Sequence, residues 1–141
     1  MTPTKPLTEV KAAVPGSVPL LRRAVVAFTK EVGASEKVLA SVKLAVTEAT
    51  TNAVMHAYVG REAGDIEVQG WVEGEALILT VRDFGWGMKP RLDSPGLGLG
   101  LSLIAKMADE VDVVDFVDEP GTKLTMWFSL TPVREPHLSA S

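Results

Sequence analysis

The sequence contains no cysteine. That excludes a disulfide framework, a thiolate nucleophile and a Cys-ligated zinc site together. Imidazole could come only from His56 and His137, so a histidine-rich metal site is excluded too. No apolar run approaches the ~18 residues that a membrane helix needs, and no membrane partner is expected. Basic residues are not in excess. Lys and Arg number 14 against 18 Asp and Glu, a formal net charge of −4. Without a basic block there is little to capture a phosphate backbone, and no nucleic acid is expected as partner. The opening Met1–Pro6 lacks the apolar core of a signal peptide, which makes the cytoplasm the expected compartment.

What is present is the composition of one globular domain. The 141 residues are 46% hydrophobic and 23% charged, enough to bury a core. Two prolines in residues 1–7, and Pro132 and Pro136 in residues 131–141, predict flexible tails around a domain at 8–130.

The pattern between them predicts a short strand over Thr8–Val14, ended by Pro15-Gly16. A helix from Ser17 to about Val32 follows, with Leu20, Leu21, Ala24, Val25, Ala27 and Phe28 as its apolar stripe. Ser35 caps a second helix that runs to about His56. At 100° per residue, Val38, Leu39, Val42, Ala45, Val46, Ala49 and Ala53 share its core face. Glu48 and Asn52, one turn apart, lie at the edge of that arc and can point into one half-buried site. Asp65–Val72 and Ala76–Arg82 form an antiparallel hairpin around Glu73-Gly74-Glu75. A third helix is expected over Ser102–Ala108, then strands over Val111–Val117 and Lys123–Leu130. This order predicts an α+β fold: a two-layer sandwich whose mixed, mainly antiparallel sheet is covered by three helices. Trp71 and Trp127 fall on strands as core or sheet-face residues. Asp109, Glu110, Asp112 and Asp115 read as a solvated strand face and its approach.

Three segments can carry chemistry. Gly96 to Gly100 is a G-x-G-x-G run before a helix, where free N–H groups attract anions. It is neither a Rossmann fingerprint nor a Walker A loop, and it also suits a loop that lets a helix pack closely. Asp83-x-Gly85-x-Gly87 puts a carboxylate at a strand end, where it can accept from an exocyclic amine or simply start a turn. Glu48 with Asn52 can position a hydroxyl and an oxygen-coordinated Mg²⁺, or form a solvated helix face.

Order and spacing add what the single segments lack. Glu48-Ala-Thr-Thr-Asn52-Ala-Val-Met-His56, then Asp83-Phe-Gly85-Trp-Gly87-Met88, then Gly96-Leu-Gly98-Leu-Gly100-Leu101, then Gly121-Thr122, resemble the successive boxes of one ATP-binding fold. It is the GHKL or Bergerat fold of gyrase, heat-shock ATPases, histidine kinases and mismatch-repair proteins. The small size, Val14-Pro15 and Leu20-Leu21-Arg22-Arg23 are similar to the anti-sigma factor serine/threonine kinases of bacterial sporulation and stress response.

The resemblance implies ATP/ADP and Mg²⁺ as cofactors. It makes Asn52 the Mg²⁺ ligand and Glu48 the catalytic base or nucleophile-orienting group. Asp83 would accept the adenine amino group, and Thr122 would reach the same region through water. Gly85 and Gly87 would let the backbone pass beneath the base. Gly98 and Gly100 would put N–H groups on the phosphates, with Leu101 ending that run. His56 is given a packing role. The implied partners are a sigma factor and an anti-anti-sigma antagonist protein, and the subfamily pattern suggests a homodimer. One feature departs from the kinases: only Met88 to Leu97 separates Gly87 from Gly98, where they carry a longer lid. A nucleotide-gated regulatory binding module without kinase activity is therefore the alternative.

Overall fold

The computed structural model describes residues 4–85 and 97–131. Strand β1 spans Leu7–Ala12, helix α1 Ser17–Glu31 and helix α2 Glu36–Asn52. A π-helical segment, Ala53–Ala57, continues α2 without a break. Strands β2 (Asp65–Glu73) and β3 (Ala76–Asp83) form the hairpin, with Gly74 at φ +60° in its turn. Helix α3 (Leu97–Met107), β4 (Glu110–Asp115) and β5 (Thr122–Ser129) complete the order.

The five strands lie in the order β1-β2-β3-β5-β4, and every described pairing is antiparallel. The two-layer α+β expectation holds, while the mixed character allowed for the sheet does not arise. Each neighbour in the sheet is reached by a turn or by a connection that reverses the chain. Two boundaries need correction. Leu7, assigned to the tail, is already paired with Gly70 in β1. Helix α3 starts at Leu97, so Gly98 and Gly100 belong to its first turn and not to a loop before it. Glycine lowers helix propensity without forbidding the helix, so a glycine-rich run hides a helix start from the sequence.

Alternation decides which face is core. Leu77, Leu79 and Val81 of β3 share the helix side with Val68 of β2 and Leu124, Met126 and Phe128 of β5, all buried. Against them pack Val42, Ala45, Val46, Ala49 and Ala53 of α2, and Leu21, Val25 and Phe28 of α1. Leu20, placed in the α1 stripe from spacing, is 46% exposed and lies off that face. Trp71, Ile78 and Trp127 form one cross-strand row on the opposite face, with both tryptophans half-buried.

α2 begins as expected, with the Ser35 hydroxyl accepting from the Val38 amide at 3.2 Å. It packs against both α1 and α3. Ser35 and Val38 at its start line one groove with Met107 and Ala108 at the end of α3. The two helices are thus antiparallel, and the start of α3 lies toward the end of α2 that carries Asn52.

Candidate functional site

The same alternation that buries Leu79 and Val81 carries Asp83 to the helix side at the last position of β3. Asp83 is 1% exposed. Its Oδ1 accepts from the Gly85 amide at 3.1 Å, an Asx turn that ends the strand. Its Oδ2 is buried and accepts no hydrogen bond from the described residues. Burial pushes the carboxyl above the usual carboxylate range. The Gly85 and Thr122 amides partly offset this, Asp115 adds to it, and Arg82 opposes it. A buried acceptor without a donor is costly, and an amine arriving at Oδ2 would repay that cost.

Register builds the rest of the wall. Asp83 faces Thr122 across β3–β5, and Thr122 faces Asp115 across β5–β4. Asp83, Thr122 and Asp115 therefore form a polar row that continues the apolar rows Val81–Leu124–Val113 and Leu79–Met126–Val111. Thr122 is 1% exposed, and its hydroxyl donates to Asp115 Oδ1 at 2.5 Å. This corrects the reading of Asp115 as solvated: the acidic run splits. Asp112 and Glu110 are exposed, Asp109 accepts from the Ser129 amide at 2.6 Å, and Asp115 turns inward.

Two glycines hold the wall in place by having no side chain. Gly121, at φ +114°, leads into Thr122, and a Cβ there would collide with the Asp83 carbonyl. A Cβ on Gly85 would collide with the Ala57 carbonyl at the end of the π segment. The strand end and the helix end thus meet backbone to backbone at Gly85.

Tyr58 pins the same junction, and nothing in the sequence reading singled it out. Its hydroxyl donates to the Asp65 carbonyl at 2.6 Å and accepts from the Phe84 amide at 2.9 Å. Burial raises its pKa above the usual phenol value. On the other face, Arg82 lies between the rings of Phe84 and Phe116, at 4.6 and 4.1 Å, and pairs with Glu119 at 3.0 Å.

At the end of α2, Asn52 is 6% exposed and its Nδ2 is buried with no partner among the described residues. It stands where the α-helix widens into the π segment; such widenings recur at functional sites. Glu48, one turn earlier, is half-buried. Helical spacing puts i and i+4 on one side, so the two residues share a side of α2. His56 is half-buried in the π segment.

The first four N–H groups of α3, from Leu97 to Gly100, have no partner within the helix and sit toward Asn52. They can receive an anion, as the glycine run suggested. Leu101 follows them, half-buried against the core. Gly87, Trp86 and most of Met88 to Leu97 lie outside the described residues, as does His137. Among the described residues no group of three or more His, Cys, Asp or Glu could hold a metal ion. An Asn-ligated Mg²⁺ that also rests on phosphates needs no such cluster.

Residues 12–128 match the model of the histidine kinase-like ATPase domain. The chain is 30% identical over 123 residues to the anti-sigma F factor of Anoxybacillus flavithermus, covering 78% of this chain and 82% of that protein. It is also 30% identical over 106 residues to the anti-sigma F factor of Bacillus thuringiensis, covering 66% of this chain and 71% of that one. The fold resembles the crystal structure of the RsbU and RsbW domains of a Mycobacterium tuberculosis protein, with a TM-score of 0.74 at 24% identity. That match covers 94% of this chain and 35% of the larger one. It also resembles the histidine kinase domain of a blue-light activated histidine kinase from Erythrobacter litoralis. The TM-score there is 0.58 at 23% identity, over 80% of this chain and 60% of that one. The family model matched over residues 12–128 and the sequence relatives place this chain in the histidine kinase-like ATPase domain family.

Proposed function

We propose that this chain is an anti-sigma factor and an ATP- and Mg²⁺-dependent serine/threonine kinase: it sequesters a sigma factor and phosphorylates an antagonist protein. The observation that carries the nucleotide part is Asp83, a buried carboxylate with one oxygen tied to Gly85 and the other without a donor among the described residues. An ionised carboxylate only accepts, and adenine offers an amine at that edge. The anti-sigma F factors, at 30% identity over most of both chains, support the sigma factor and its antagonist as partners.

The residues divide the work. Asp83 and Thr122 bind the adenine. The N–H groups at the start of α3 receive phosphate oxygens. Asn52 would hold Mg²⁺ through its carboxamide oxygen, as an oxygen-seeking cation requires. Bound Mg²⁺ supplies charge neutralisation at the phosphates, the main demand of phosphoryl transfer. Glu48 accepts the proton of the attacking serine or threonine hydroxyl. The hydroxyl oxygen bonds to the γ-phosphorus, the bond to the bridging oxygen breaks, and ADP leaves. The short stretch from Met88 to Leu97 favours one second reading, a module that binds nucleotide and partner and transfers nothing.

The test is incubation with γ-labelled ATP and candidate antagonist proteins. Label on the antagonist, lost in Glu48→Gln with ATP affinity kept, is the expected result. ATP binding without label transfer to any antagonist would leave the binding-module reading.

A further inference from the structure

Asp115 is not part of any motif in the sequence, yet its Oδ1 accepts the Thr122 hydroxyl proton across β4–β5. At 2.5 Å from the Thr122 oxygen it lies in the range of charge-assisted O–H···O⁻ bonds. A hydroxyl has one proton and two lone pairs. With its proton directed at Asp115, Thr122 can offer only lone pairs elsewhere. Asp83 Oδ2 offers only lone pairs as well.

We propose that Asp115 is a positioning residue that fixes the polarity of Thr122 and so makes the site select adenine over 6-oxopurines. The inference rests on the adenine-site reading above. Asp83 alone does not give that selection. Hypoxanthine and guanine carry a proton at N1 that a carboxylate can accept, and their O6 then needs a donor. A freely rotating threonine hydroxyl could supply it. Asp115 prevents this by holding the proton on the far side of Thr122, so O6 meets lone pairs. Adenine, with protons on its amine, fits the same wall. The cross-strand register is what makes the device possible, because it sets Asp83, Thr122 and Asp115 in one line on one face.

ATP and ITP differ at the 6-position and N1 and share everything else, so the ratio of their dissociation constants reads this effect directly. Calorimetric titration of the full chain with each nucleotide, at fixed Mg²⁺, is the measurement. Asp115→Ala frees the hydroxyl and should reduce discrimination against ITP on the order of tenfold, about one hydrogen bond. Asp115→Asn still accepts from Thr122 through its carbonyl oxygen and should keep the parent ratio. Asp115→Ala combined with Thr122→Val has no hydroxyl to release and should show no gain for ITP. Asp115→Val, suited to a strand, replaces the alanine variant if that one does not fold. An unchanged ratio in Asp115→Ala overturns the proposal. So does an equal loss in Asp115→Asn, which would mean that charge acts on Asp83 directly. Failure of the parent to bind ATP would instead overturn the adenine-site reading, and this inference with it.

Discussion

Asp83 carries the cost of a buried carboxyl. Its folded-state pKa is raised, chiefly by burial, so between the unfolded and folded values the folded chain binds more protons. Stability therefore falls as pH rises through that window, and above it the buried charge costs stability in full. Asp83→Asn removes the charge and can keep the Gly85 hydrogen bond. Without nucleotide it should melt above the parent at neutral pH, with the difference shrinking as pH is lowered through the raised pKa. Thermal melts across that range check this, and a constant difference would contradict it. Asn52 behaves differently, because its Nδ2 has no partner among the described residues to lose. Asn52→Ala should keep the fold, shown by an unchanged circular dichroism melt, and lose the Mg²⁺ dependence of ATP binding. If Mg²⁺ titrations of variant and parent coincide, another residue holds the metal. Both residues were legible in the sequence, since a strand end before glycines and an i, i+4 helix pair are local patterns. Asp115 was not. Nothing local distinguishes it from Asp112, and only the register of β4 against β5 turns one outward and the other toward Thr122.

The elements meet at a junction that depends on Tyr58 and Gly85. Tyr58→Phe would leave the Asp65 carbonyl and Phe84 amide without their shared hydroxyl. The expected loss is about 1–3 kcal/mol, the cost of stranding part-buried polar groups, read from the denaturant midpoint. Gly85→Ala should be worse. Its Cβ meets backbone, the Ala57 carbonyl, which cannot swing aside as a side chain could. A soluble variant with parental ATP affinity would show that this contact does not shape the site. Helical periodicity found α2 and its core face, but not the π widening at Ala53–Ala57, because the extra residue per turn leaves no mark in the apolar pattern. The start of α3 was missed for the opposite reason: glycines that look like loop were already helix. Tyr58 escaped because its partners, Asp65 and Phe84, lie 7 and 26 residues away in the chain.

At the scale of the whole molecule, one all-antiparallel sheet sets the polar row of Asp83, Thr122 and Asp115 at one end of its helix-covered face. The antiparallel pair α2 and α3 brings Asn52 and the N-terminal N–H groups of α3 toward that same end. Strand order and pairing could not be read from local patterns, which give the faces of single elements and not their neighbours. The fold class could be, because the turns that join β2 to β3 and β4 to β5 favour an antiparallel sheet. The central claim is that this end of the molecule holds an adenine nucleotide through Asp83. Titrating ATP into the parent chain and into Asp83→Asn, by calorimetry with Mg²⁺ present, tests it most directly. Saturable one-site binding to the parent is expected, weaker in the variant by about 1–3 kcal/mol for a mismatched buried hydrogen bond. Equal affinity in the two proteins, or no binding to the parent, would contradict it.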